Sequence, residues 1–213
     1  MLAMRPDTPD LPPELEAVAT LDRDGLEAAR LTDAMLAELQ APSVGIDACV
    51  LERVVLAGAR MTGAHVRDTR LSDCDLANAD LRDARLRRVD VHRGRLTGAV
   101  LTGADLGEVL IEDCRVDLAT LAGAKLHNVR FVSCDLRSTD WQEAQLRGVC
   151  FEDCDLSGAD LSRGRFVEVE LRGCRLDGIR GAQGLRGVTM SWDDALAAAA
   201  VFAAACGVRV RDA

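Results

Sequence analysis

The sequence predicts an all-β solenoid: a square coil of about eight turns, closed at its C-terminal end by an α-helix. Three observations carry this. A large apolar residue stands at every fifth position from Ile46 to Leu176, 27 positions without an exception. Two residues before each lies a smaller side chain, and the sizes in this second series return every 20 residues as Ala, Ala, Val, Cys. Aromatic residues make up 3% of the 213, with no Tyr, so the core has to be stacked from aliphatic and small side chains.

A helix repeats near 3.6 residues and a half-buried strand at 2, so a strict period of five marks each unit as one short side of a coil. The higher period sets the number of sides. Ala99, Ala104, Val109 and Cys114 are followed by Ala119, Ala124, Val129 and Cys134, then by Thr139, Ala144, Val149 and Cys154. Residues stacked one above another share an environment and hence a size, so a 20-residue repeat of sizes means four sides per coil. The large residue and the small one two before it point inward, as alternate side chains of an extended segment do. Each coil then buries about four large side chains at roughly 1.5–3 kcal/mol apiece. At about 4.8 Å per coil the rod is on the order of 38 Å long. Stability is quasi-one-dimensional, and both ends need covers.

The elements follow in order. Residues 1–19 are Pro-rich and acidic and predict a flexible or irregular lead. The solenoid runs over 20–190, with a bulge or small loop expected at Pro42 and a last coil side at 185–190. In 191–213, Ser191 is a good N-cap, Asp193 and Asp194 complement the helix dipole, and Ala195 to Cys206 is Ala-rich up to Gly207. This predicts one helix over 192–206 with a short extended tail, capping the rod or joining two of them.

The stretches Ala79-Asp80-Leu81, Ala104-Asp105-Leu106, Cys134-Asp135-Leu136, Cys154-Asp155-Leu156 and Ala159-Asp160-Leu161 carry a resemblance. The chain looks like a pentapeptide-repeat protein, and that resemblance implies a right-handed quadrilateral β-helix. The C-terminal stretch from Leu185 to Gly207 is similar to that of the mycobacterial fluoroquinolone-resistance members of the family. Those are dimers that inhibit DNA gyrase by imitating the shape and charge of duplex DNA. The similarity implies a homodimer through 191–213 and a type II topoisomerase as partner.

Composition narrows the function. A net charge of −9 argues against direct nucleic-acid binding, which needs a basic surface. No uncharged apolar run is long enough for a membrane span, and the N-terminal stretch has no apolar run of signal-peptide length; a cytoplasmic protein is expected. Cys74, Cys114, Cys134, Cys154 and Cys174 fall in one inward column and read as small core residues with free thiols, while Cys150 reads as an outward, exposed thiol. No CxxC pair occurs, and His65, His92 and His127 are outward and far apart, so neither metal nor cofactor is expected. No catalytic constellation is found, and a convex rod offers no cleft for paired carboxylates. Two readings of function remain: a non-enzymatic protein-interaction module, and a DNA mimic acting on DNA gyrase or topoisomerase IV. The surface expected to bind a protein is an acidic cluster of Asp135, Asp140, Asp153, Asp155 and Asp160; Arg87, Arg88, Arg93, Arg95 and Arg115 form a basic zone nearer the middle.

Overall fold

The computed structural model describes residues 5–208. Its strands are parallel and pair with a shift of 20 residues, so that Val66 sits over Ile46, Leu86 over Val66 and Leu106 over Leu86. The result is a parallel β-solenoid of about eight turns. Face one carries residues 65–67 and their equivalents at 20-residue steps, face two 70–72, face three 75–77 and face four 80–82. Faces one and two are strands that run on across their shared corner, as in His65–Ser72 and Arg85–His92. Faces three and four are single bridges separated by hydrogen-bonded turns, such as Ala79 N–H to the Leu76 carbonyl at 3.1 Å.

Every fifth residue from Ala28 to Gly178 has a positive φ, and 22 of these are not glycine. Each left-handed residue costs roughly 1–2 kcal/mol, less for Asp and Asn. Two things offset it. The corner N–H donates to the next coil, as Asp73 does to the His92 carbonyl at 3.0 Å. Corner side chains also bond along the axis: Arg53 bridges Asp33 at 2.6 Å and Arg93 bridges Asp73 at 2.7 Å.

The core is the predicted pair of inward series. Leu51, Leu56, Leu106 and Leu126 are buried beside Ala59, Ala84, Val89 and Val109. One coil departs from the pattern. Trp141 replaces the usual Leu and reaches across the rod to Phe131 and Phe151, both at 5.7 Å, while the two Phe rings stack at 5.0 Å. Thr139 replaces the usual Ala and accepts the indole N–H at 2.7 Å, then donates to the Leu136 carbonyl.

Several expectations are corrected. Pro42 makes no bulge: Gln40 pairs with Arg60 in register, Ala41 fills the inward slot, and Pro42 sits in a turn whose fixed φ it suits. The C-terminal helix is two pieces, Trp192–Ala197 (α1) and Ala199–Ala205 (α2). Between them Ala198 relaxes to ψ 7° where it is buried against the end of the core. Val201 and Phe202 pack on the same core, so the helices do cap the rod. Ser191 caps α1 by accepting the Asp194 N–H, as expected. Of the predicted tail, 209–213 lie outside the described residues. The last side is strand Thr189–Met190, which pairs 19 residues on, Thr189 over Glu170, after a short 3₁₀ turn.

The N-terminal lead is irregular but placed. Asp7 N–H donates to Glu108 and Asp10 N–H to Asp68, each at 3.0 Å, and Pro9 between them is buried. Residues 7–10 thus run along the corner between faces one and two. Strand pairing begins at Glu16, four residues before the predicted start of the solenoid.

Candidate binding surface

Side chains 20 residues apart stand in straight columns on the outside of the rod. The columns divide the five predicted aspartates. Asp135 stacks on Asp155 on face three, Asp140 on Asp160 on face four, and Asp153 lies on the corner between faces two and three. Three of the five are paired. Asp135 takes Arg137 at 2.6 Å, Asp160 takes Arg180 at 3.0 Å, and Asp155 faces Arg175 at 3.9 Å. The Arg137 guanidinium holds the Asp135 carboxyl below its usual range; Ser162, then Arg180, do the same for Asp160, which is only 7% exposed. Asp153 is exposed and Asp140 partly so. The cluster is therefore split between two columns and a corner, with three of its five carboxylates paired, not one acidic stripe. Backbone geometry also claims these carboxylates: Asp135, Asp140, Asp155 and Asp160 each accept the N–H two residues on, holding the turn that follows.

The basic zone dissolves in the same way. Arg87 pairs with Asp105, Arg88 with Asp68, Arg93 with Asp73 and Arg95 with Asp75, which leaves Arg115. Proximity in sequence alone does not group these charges, because residues five apart go to different faces while most partners stand about 20 apart on the next coil or two apart in the same turn.

The cysteine column is in the core as expected, with a second role. Each sulfur lies near two carbonyls, as Cys134 does with Val132 and Ile111, both at 3.3 Å. An S–H is a weak donor, but Val or Ala in that slot offers none. Sulfurs of successive coils also meet, and Cys114 with burial pushes the Cys134 thiol up to about 12. A thiol raised in this way is a poor nucleophile. Cys150, expected outside and exposed, is buried, and burial pushes its thiol up. Its flat strand position lies between Arg130 and Glu170 on adjacent coils, whose longer side chains cover it.

Family models match over most of this solenoid. A pentapeptide repeat region fits residues 105–180, and pentapeptide repeats in eight copies fit 49–88 and 67–103, together more than half of the chain. The chain belongs to the pentapeptide-repeat family. Among solved structures, this pentapeptide-repeat protein is similar to full-length QnrB1, a plasmid-mediated fluoroquinolone resistance protein. The two share 19% identity at a TM-score of 0.57, over 87% of this chain and 94% of that one. It is also similar to HetL, a pentapeptide repeat protein involved in heterocyst differentiation regulation in Nostoc sp. strain PCC 7120. There identity is 20% and the TM-score 0.35, over 79% of this chain and 88% of that one. At 19% identity the likeness to QnrB1 shows the fold alone. No curated protein matches. Among the described residues no helix is long and apolar enough to cross a membrane.

Two apolar side chains on α1 face away from the core. Trp192 is 77% exposed and Leu196, one turn on, is 57% exposed. The capping side chains and these two exposed ones thus occupy different sides of the same short helical segment.

Proposed function

We propose that this pentapeptide-repeat protein is a non-enzymatic, cytoplasmic binding rod that engages a protein partner through its outer faces. The observation that carries this is the column lattice: ion pairs and turn bonds hold outward side chains at a fixed pitch along the whole solenoid. Such a surface recognises by position, with its side-chain entropy already spent on folding. The exposed Trp192 and Leu196 support a homodimer through the C-terminal helices. Affinity capture with the purified rod, competed by excess untagged rod, tests the reading. A stoichiometric protein lost when the outward residues of one face are changed supports it; no retained protein contradicts it.

A second reading, modulation of a type II topoisomerase by DNA mimicry, draws on the shared rod architecture and the net charge of −9. The pairing of Asp135, Asp155 and Asp160 weighs against an acidic mechanism. Titrating the protein into a gyrase supercoiling assay, with and without a quinolone, decides it. Inhibition that disappears in Asp153→Asn/Asp155→Asn/Asp160→Asn supports mimicry, and a flat titration removes it.

A further inference from the structure

Among the described residues of this acidic protein, more unpaired cations lie on face one than on any other face. Between residues 45 and 167, the outward positions of face one hold six cations (Arg67, Arg85, Arg87, Lys125, Arg147 and Arg165) against two carboxylates, Asp47 and Asp105. Both carboxylates are taken. Arg67 grips Asp47 with two bonds of 3.1 and 2.6 Å, and Arg87 holds Asp105 at 2.8 Å. Among the described residues Arg85, Lys125, Arg147 and Arg165 have no carboxylate within 4.0 Å, and all four are exposed. Register puts Arg85, Lys125 and Arg165 in one column, a cation on every second coil, about 10 Å apart. Arg147 stands across the strand from that column, about 7 Å away.

The chain itself shows what fits this pitch. Its Pro-rich segment with Asp7 and Asp10 lies along the corner next to face one. Those two aspartates, three residues apart, bond Glu108 and Asp68, two coils apart. Three residues therefore span about 10 Å, the rise of a polyproline II segment, which also returns the same side of the chain every third residue. The negative charges of Asp10 and Asp7 fall near Arg88, on the corner column.

We propose that face one docks an acidic, Pro-rich segment of a partner protein, extended along the rod, with carboxylates at every third residue on Arg85, Lys125 and Arg165. The proposal rests on the reading of the molecule as a protein-binding rod. A nucleic acid fits less well. The corners bordering the face carry Asp83 and an Arg163-paired Glu143 on one side, and Glu108 and Glu168 beside an Asp68-paired Arg88 on the other. A duplex, with phosphates on both sides of a groove about 12 Å wide, would press them against these borders. Single strands bind on exposed aromatic platforms, and no outward position of face one between 45 and 167 holds Phe, Tyr or Trp.

The test is fluorescence anisotropy of a labelled dodecapeptide of four Glu-Pro-Pro repeats, titrated with the full chain at low salt. Expected are saturable binding, weakening in high salt, and at least tenfold loss in Lys125→Gln/Arg165→Gln. The control Arg60→Gln/Arg115→Gln removes equal charge from unpaired cations on other faces and should lose under twofold. Among the described residues all four side chains lack ion-pair partners, so both variants should melt with the wild type. Equal losses in the two variants, equal binding of a peptide with the same glutamates in one block, tighter binding of an oligothymidylate of equal charge, or no binding would each overturn the docking. If the peptide fails while affinity capture still retains a stoichiometric partner, face one is the wrong surface and the binding rod stands; if capture fails as well, both fall.

Discussion

Gly98 and Gly123 share a left-handed backbone, φ +68° and +66°, but not a neighbourhood. A Cβ on Gly98 would sit 2.5 Å from the Asn78 side-chain oxygen one coil below, whereas on Gly123 it would meet nothing within 4 Å. Gly123→Ala should therefore cost only the backbone term, about 1–2 kcal/mol, and Gly98→Ala measurably more; thermal melts of the pair separate the two contributions. Thr139→Ala strands the Trp141 indole N–H in the core and should cost about 1–3 kcal/mol, or a fall in Tm of several degrees. Asp90 works in the opposite sense. It is 6% exposed, and burial pushes its carboxyl up, so its ionised form penalises the fold as pH rises past the unfolded value. Asp90→Asn should raise Tm by a few degrees at pH 7 and by nothing near pH 3. Trp141 could be read from sequence as an inward residue, because its place in the five-residue series is fixed. Thr139 is legible too, as the one polar member of an alanine column, but only geometry shows that it pairs with Trp141.

At the scale of the element, corners and ends were the least legible. The period of five located every corner, yet nothing in the periodicity says that the second residue after each large apolar one turns left-handed. The frequent Gly, Asp, Asn and Ser there are its signature. The lead from Pro6 to Pro13 looked flexible because proline and acid normally resist packing; its N–H groups instead find carboxylates on a corner 58 and 101 residues away, which no local pattern encodes. Outward ion pairs, on the corners and on face four, make stability pH-dependent. Arg88 holds Asp68 below the usual carboxylate range, Arg93 does so for Asp73, and Arg82 brings Asp80 to about 2. Their folded values are depressed, so their stabilisation is complete above the unfolded value near 4 and is lost as pH falls toward 2. Tm should be flat with respect to these groups from pH 7 to 5 and drop below 4, and Arg88→Gln should make that drop shallower while lowering Tm at neutral pH. At the other end, Trp192→Glu/Leu196→Glu should leave the cap intact and yield monomers in sedimentation equilibrium; an unchanged dimer, or a monomeric wild type, would remove the helical interface.

At the scale of the whole molecule, the architecture was legible almost throughout, since one 20-residue period sets the strand register, the core columns and the number of faces together. The binding surface was not. The acidic cluster and the basic zone were assembled from residues near one another in sequence, and the coil sends such residues to different faces, where most meet an opposite charge one coil away or within the same turn. Written in columns of 20, the same sequence shows Arg85, Lys125 and Arg165 as a single line. The central claim is that one outer face of a rigid rod meets a protein. Photo-crosslinking in cells tests it most directly, with a photoreactive residue placed in turn at Gln145 on face one, Val132 on face two, Thr97 on face three and Thr102 on face four. A discrete adduct with one protein from Gln145, and none from the other faces, is the predicted result; the absence of any protein adduct from all four would contradict the claim.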